Sequence, residues 1–471
     1  MRSFPKLFFS VNFLYLVLIA AEIAAIIFLC FLIPSYLPVA AAVSGMWVLS
    51  FIAAIVAAVK TRPKSLACSV LLFITALPVA GAILYFIWRF GKNKGAAISV
   101  EGPVPDGFSI AAKNACGTCA AGYDKVVYLE NGAEYFRLLI NEIEKAEKSV
   151  YLEYYIVSRG KIFTEVYSAL KIARERGAEI KFVLDGVGSA FRLRGREIRL
   201  LKKLGAELKI FHRLTPLPYS RLNFRDHRKI AVIDGKVAFT GGINLADEYA
   251  NIDSPHGYWK DTSVAVYGEV AKVFEALFLS VFCCKRELKV EGKGNRICLP
   301  YYDSPTKQAG FCENAYCNAI AEAKIRVHIF TPYFCVSDKL ESALAFAALR
   351  GVDVRVIIPH IPDKKFAFEL SRAGARRLSE KGVKFFEFTP GFMHAKSLIC
   401  DDKVFIGTYN FDYRSMYLNY ECGILFDGDI TEEIERDFKN CTLLSAPFSD
   451  FNLSAWRKAK LFFLNLFAPL I

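Results

Sequence analysis

Two stretches of this chain carry the same residue types at the same spacing: His227, Lys229 and Asp234 in one, His394, Lys396 and Asp401 in the other. Residues two apart on an extended segment point to one face of a sheet, so each histidine would share a pocket with a lysine. An imidazole with an ordinary pKa near ~6.5 can be neutral in one copy and protonated in the other. That combination suits exchange at a phosphodiester. One neutral imidazole attacks phosphorus, the other protonates the departing alkoxide, and the lysines neutralise charge on the non-bridging oxygens. Asn244, in Thr240-Gly-Gly-Ile-Asn244, and Asn410, in Gly407-Thr-Tyr-Asn410, follow the two motifs and offer amide donors to the same oxygens. One such His-Lys pair arises easily by chance. The chain has six histidines, and two of them fall at matching positions with Gly and Asn at nearly equal offset behind them. No cluster of His, Asp or Glu at metal-ligand spacing accompanies them in the sequence, so the expected chemistry is covalent, with no metal and no cofactor.

The elements around the motifs repeat as well. Ser149–Tyr155 reads as a buried strand, 163–176 as a helix, and 177–185 as a turn and second strand. The same order recurs at 325–333, 339–350 and 351–359. Alternating strands and helices with nearly continuous apolar strands predict an α/β fold, built as a pseudo-symmetric pair of halves. Residues 95–290 form the first half in this reading and 291–471 the second.

Hydropathy sets residues 1–94 apart. Residues 11–33 hold one charge, Glu22; 37–59 and 65–88 hold none. Each stretch is long enough to cross about 30 Å of hydrocarbon. Eight Lys or Arg flank these stretches and give the region a net +7, against +6 for the rest. The basic residues sit before the first stretch, between the second and third, and after the third, and the positive-inside rule would place all three on the cytoplasmic side. Three full spans cannot satisfy that. The Pro78/Gly81 pair at the centre of the third stretch predicts two spans plus a broken, re-entrant or interfacial segment. The protein is then a multi-pass membrane protein with its catalytic region on the cytoplasmic side; the alternative is a kinked third span, which puts that region outside. Trp456–Phe467 mixes basic with aromatic and aliphatic residues, as an interfacial helix would, although a terminal helix docked on the core fits equally. The 13 cysteines show no disulfide framework, and Cys116-Gly-Thr-Cys119 reads as a loop of reduced thiols.

With these motifs in view, the chain resembles the phospholipase D superfamily, and within it the bacterial cardiolipin synthase branch. The likeness is carried by Asp226-His-Arg-Lys-Ile230, Thr240–Tyr249, Tyr258-Trp-Lys-Asp-Thr262, Thr331-Pro-Tyr-Phe334, Thr389–Lys396 and Asn410–Glu421. It implies two phospholipase D-like α/β halves behind a helical membrane region. It also implies transfer of a phosphatidyl group between two phosphatidylglycerol molecules, giving cardiolipin and glycerol through a phosphatidyl-histidine. In that scheme His227 is the nucleophile and His394 the acid and base; Lys229, Lys396, Asn244 and Asn410 bind phosphate; Asp261 and Glu421 orient the imidazoles. Asp234 and Asp401, though part of the motif, read as supports of its loops. The expected partners are phosphatidylglycerol and an anionic membrane surface, not nucleic acid, with the oligomeric state left open. The alternative is a membrane-bound hydrolase, or a transferase using another alcohol. Gly242 departs from the pattern, standing where a hydroxyl residue usually follows the glycine, and Ser263 stands where His is expected.

Overall fold

The computed structural model describes residues 36–60, 97–190, 192–212, 224–282, 285–305 and 310–449, with isolated positions at 24, 71, 74–75, 454–457, 460–461 and 464. The chain divides into two compact units. The smaller comprises Met1–Asn93, Leu214–Phe224 and Phe462–Ile471, and the larger Lys94–Arg213 and Arg225–Leu461.

In the smaller unit the second hydrophobic stretch is a helix, Tyr36–Lys60, of 25 residues. Trp47, Val48, Leu49, Phe51 and Ile52 are exposed on it, while Ser50 donates to the Ile74 carbonyl at 3.1 Å. Counting only described residues, no helix is long and apolar enough to cross a membrane. The first hydrophobic stretch, apart from Ala24, and most of the third lie outside the described residues. The expected multi-pass arrangement is therefore not seen in the described helices.

The larger unit holds two sheets built on one plan. In the first, the strands run in the spatial order Lys125–Leu129, Ser263–Tyr267, Val237–Gly241, Lys229–Ile233, Ser149–Tyr154, Glu179–Asp185 and Glu207–Phe211. The last three are mutually parallel, joined through the helices Lys161–Glu175 and Gly195–Lys203. The second sheet repeats this core order with Glu421–Asp427, Lys403–Gly407, Ser397–Cys400, Arg326–Phe330, Asp353–Pro359 and Lys384–Phe388. Its parallel strands are joined through the helices Asp338–Leu349 and Lys365–Ser379. The mixed α/β fold and the repeat follow the sequence pattern. Residues Ala121–Tyr123 pair with Arg296–Asp303, so chain from before the first sheet joins the edge of the second.

The strands are buried because their side chains feed apolar clusters on both faces. Val150, Leu152, Ala231 and Phe239 lie in one cluster; Ile230 and Val232, pointing to the opposite face, lie in another that also takes in Val327, Ile329, Leu398 and Ile406. Alternation along Lys229–Ile233 thus ties the first sheet to helices on one side and to the second half on the other.

Candidate active site

Each motif sits where a strand begins. His227 precedes Lys229–Ile233 by two residues; His394 lies between the short strand Gly391–Met393 and Ser397–Cys400. Lys229 Nζ donates to the His227 carbonyl at 2.5 Å, and Lys396 Nζ bonds the His394 carbonyl and stands 2.9 and 3.2 Å from the His394 Nδ1 and Nε2 atoms. The expected proximity of each His to its own Lys is present.

The two carboxylates orient the imidazoles across the halves. His227 Nδ1 lies 2.9 Å from both oxygens of Glu421, and His394 Nδ1 lies 2.5 Å from Asp261 Oδ2. The cause is backbone pairing between segments of different halves. Gly391–Met393 runs parallel to Tyr258–Lys260, and His394 N donates to the Lys260 carbonyl at 2.7 Å. In the mirrored arrangement Asp226 bridges Tyr420, and His227 N donates to the Tyr420 carbonyl at 3.0 Å. The segment leading into each histidine is therefore zipped to the segment leading into the other half's carboxylate. Lys260 reinforces one seam by reaching Asp437 at 2.7 Å and the Glu130 carbonyl at 2.6 Å.

Burial then sets the charge states. His227 and His394 are 8% and 7% exposed, and Lys229, Lys396, Asp261 and Glu421 are 2% or less. Desolvation, aided by the nearby lysines, holds both imidazoles well below their ordinary value. It pushes Asp261 and Glu421 up to about 7 and Lys229 and Lys396 down to about 7 and about 8. With neutral imidazoles, a carboxylate accepting at Nδ1 puts that ring proton on Nδ1 and leaves the Nε2 lone pair for attack. A bound phosphodiester anion favours the protonated lysines, and lets one imidazole carry the proton a leaving group needs.

The remaining expected residues divide. Asn244 is buried and already engaged: Oδ1 accepts from Ile156 N at 2.9 Å and Nδ2 donates to the Tyr249 hydroxyl at 2.7 Å, which leaves one N–H. Asn410 is 6% exposed, and its Oδ1 has no hydrogen-bond partner among the described residues. Asp234 and Asp401, grouped with the catalytic set by the motif but read as supports of its loops, stand at the turns away from the two imidazoles. Each sits at positive φ, 55° and 51°, in the hairpin turn at the far end of its motif strand. Asp234 accepts the backbone N–H groups of Glu147, Lys148 and Ser149, and Asp401 those of Lys324, Ile325 and Arg326. Gly242 is explained sterically, since a Cβ there would lie 2.0 Å from Asp261 Oδ1. Ser263 starts the strand beside it, buried.

Several contributors lack a spacing signal. Tyr155 meets His227 edge-on at 5.1 Å, while Trp259, Tyr249 and Phe392 surround His394 at 5.2, 5.3 and 5.8 Å. Arg228 lies between His227 and Lys229 and faces the opposite side. There it is buried with Asp226 at 2.9 Å and Glu153 at 2.8 Å, and alternation along the strand could have separated it from the site. Cys116 and Cys119 are buried, and among the described residues no group of three or more His, Cys, Asp or Glu could hold a metal.

A family model described as cardiolipin synthase, PLD-like domain, matches residues 139–278 and 316–442. An uncharacterized protein of Streptococcus mutans is 41% identical over 67% of this chain and 71% of its own length. "Cardiolipin synthase 2" of Bacillus cereus is 34% identical over 66% of this chain, and this chain spans 63% of that relative's length. Among solved structures, the phosphatidylserine synthase of Haemophilus influenzae superposes with a TM-score of 0.58 at 13% identity, covering 78% of this chain and 100% of that one, which shows a shared fold. Both histidine motifs and the central strands of both sheets fall inside the matched residues, and the chain belongs to the family of cardiolipin synthase, phospholipase D-like domains.

Proposed function

We propose that the protein is a cardiolipin synthase that moves a phosphatidyl group from one phosphatidylglycerol to a hydroxyl of a second. The observation that carries this reading is the pair of buried histidines, each with its own lysine and each held at Nδ1 by a carboxylate from the other half. In the first step His227 Nε2 attacks phosphorus, the bond from phosphorus to the glycerol oxygen breaks, and His394 gives that oxygen a proton. In the second, His394 takes the proton of the incoming hydroxyl, whose oxygen attacks phosphorus and breaks the bond to nitrogen. Lys229 and Lys396, with Asn244 and Asn410, neutralise the non-bridging oxygens, while Glu421 and Asp261 hold the two rings. The aromatic wall beside His394 keeps water from competing for the intermediate.

Residues 1–94 anchor the enzyme to the bilayer in this reading. The helix Tyr36–Lys60 carries no charge from Leu37 to Val59 and exposes large apolar side chains, which supports contact with the bilayer. The basic flanks support a cytoplasmic catalytic region by the positive-inside rule. Cys116 and Cys119 are too buried to report sidedness. A Glu144→Cys variant, exposed on the surface, should resist a membrane-impermeant thiol reagent on intact cells; labelling above the unsubstituted chain overturns the assignment.

The reaction is tested with purified full-length protein in mixed micelles containing labelled phosphatidylglycerol. Cardiolipin plus glycerol is expected. Phosphatidic acid plus glycerol would make it a hydrolase instead. His227→Ala and His394→Ala should each abolish turnover, and substantial activity in either sinks the two-histidine scheme.

A further inference from the structure

With both imidazoles neutral, Lys229 and Lys396 are matched in charge by Asp261 and Glu421, and Arg414, whose charge acts on His227, is offset by Asp412, whose charge acts on Lys396, so the buried centre is close to neutral before lipid arrives. The donor phosphodiester adds one negative charge. In the proposed reaction the acceptor is a second phosphodiester and adds another, and two like charges within a glycerol's reach repel unless a further cation stands near.

Lys364 has that placement. It is the N-cap residue of the helix Lys365–Ser379, in the loop after the strand Asp353–Pro359, at the carboxyl end of the parallel strands, where ligands bind in open α/β sheets. Its Nζ stands 5.2 Å from the centroid of the Tyr333 ring, and the Tyr333 hydroxyl is hydrogen-bonded to Asp363. Tyr333 lies 6.4 Å from Phe392, itself part of the wall around His394. The Lys364 charge reaches both His227 and His394 and helps to lower both. Unlike Lys229 and Lys396, however, Lys364 is exposed. It stands outside the buried centre, on the exposed side of Tyr333, within reach of its field.

We propose that Lys364, seated on Tyr333, binds the phosphate of the acceptor lipid and so selects an anionic phospholipid over water or a neutral alcohol. This rests on the synthase reading. The arrangement separates two anions by depth: the donor phosphate between the buried lysines, the acceptor phosphate at the mouth, with the acceptor's glycerol arm extending inward to His394.

The test compares two acceptors with the full-length protein in mixed micelles. Cardiolipin formation reports the anionic acceptor, and incorporation of labelled free glycerol into phosphatidylglycerol reports the neutral one. Lys364→Gln should lower the ratio of the first rate to the second by about tenfold, the size of one charge-assisted hydrogen bond, and Lys364→Arg should restore most of it. Equal loss of both rates, or no change in the ratio, overturns the proposal. A wild-type chain that exchanges glycerol but never forms cardiolipin overturns the synthase reading itself, and is distinguished by needing no variant.

Discussion

The seventh residue after each motif histidine decides whether the repeat is a list of catalytic groups or a catalytic pair with a structural clasp. Asp234 Oδ1 accepts from Lys148 N at 2.8 Å and Ser149 N at 2.9 Å, and both its oxygens lie within 3.2 Å of Glu147 N. Asp401 makes three such bonds, at 2.7 to 2.9 Å. Burial acts to raise each carboxyl's pKa, but the backbone donors outweigh it and hold both below the ordinary value. Asparagine keeps one acceptor oxygen and loses the charge. Replacing two or three charge-assisted bonds at a half-buried site should cost about 1 to 2 kcal/mol with Asn and about 2 to 3 kcal/mol with Ala. For a unit of this size, melting would fall by roughly 1 to 4 °C. Asp234→Asn and Asp401→Asn in detergent-solubilised protein should show that fall by thermal unfolding, with turnover per folded molecule within a few-fold of wild type. The linkage has a definite sign: with the folded pKa depressed, the stabilisation is present above the unfolded value near ~3.9 and is lost as pH falls through the folded one. Wild type and variants should therefore converge in stability on acidification. A loss of 100-fold or more in turnover with unchanged melting would refute the clasp and return both aspartates to the chemistry.

Two further outcomes follow from the site's electrostatics and packing. Turnover needs Asp261 and Glu421 ionised, both pushed up to about 7, and Lys229 and Lys396 charged, pushed down to about 7 and about 8. The kcat/KM should thus climb as pH rises towards about 7 and fall above about 8, with limbs that belong to the cluster as a whole. Bound anion favours the charged lysines, so the basic limb of kcat should lie higher; a profile flat from about pH 6 to about pH 9 contradicts this. Gly242→Ser puts a Cβ where Asp261 Oδ1 now sits and must displace that carboxylate from His394, for an expected loss of ~100-fold in kcat. Retention of full activity would show that Asp261 can relax without losing its imidazole.

Apolar runs and repetition made the fold legible, because Ser149–Tyr154, Glu179–Asp185, Arg326–Phe330 and Asp353–Pro359 are all rich in apolar residues, and the second strand of each pair follows a turn glycine, Gly177 or Gly351. The His-Lys pairs were legible for the same local reason. The motif aspartates were legible only in part. Spacing groups them with the histidines, yet a strand of five residues in one half and four in the other carries them to the opposite end of the sheet, where a turn at positive φ uses the carboxylate for backbone N–H groups. What lay beyond local reading is the crossing of the carboxylates. Glu421 is 194 residues from His227, and Asp261 is 133 from His394. Linear order would pair each motif with the carboxylate that follows it. Only the zipping of Tyr258–Lys260 to Gly391–Met393, and of Asp226 to Tyr420, reverses that.

That reversal has a chemical consequence. A half with its own His and Lys but without its partner would leave Nδ1 of the imidazole unclaimed, so that neither tautomer nor ring angle is fixed for attack. The buried lysine would likewise lose the carboxylate charges that favour its protonation. Each half therefore brings an imidazole it cannot orient and a carboxylate it does not itself use. The active site exists only where the two are zipped together, which explains why the seams carry buried polar contacts such as Lys260 to Asp437 instead of apolar packing alone. Such a buried pair contributes little net stability but is costly to break, so it specifies the register of the seam more than its strength. Register is what the chemistry needs. A slip of one residue along Tyr258–Lys260 would turn Asp261 away from His394 and leave both histidine motifs intact in sequence and without function.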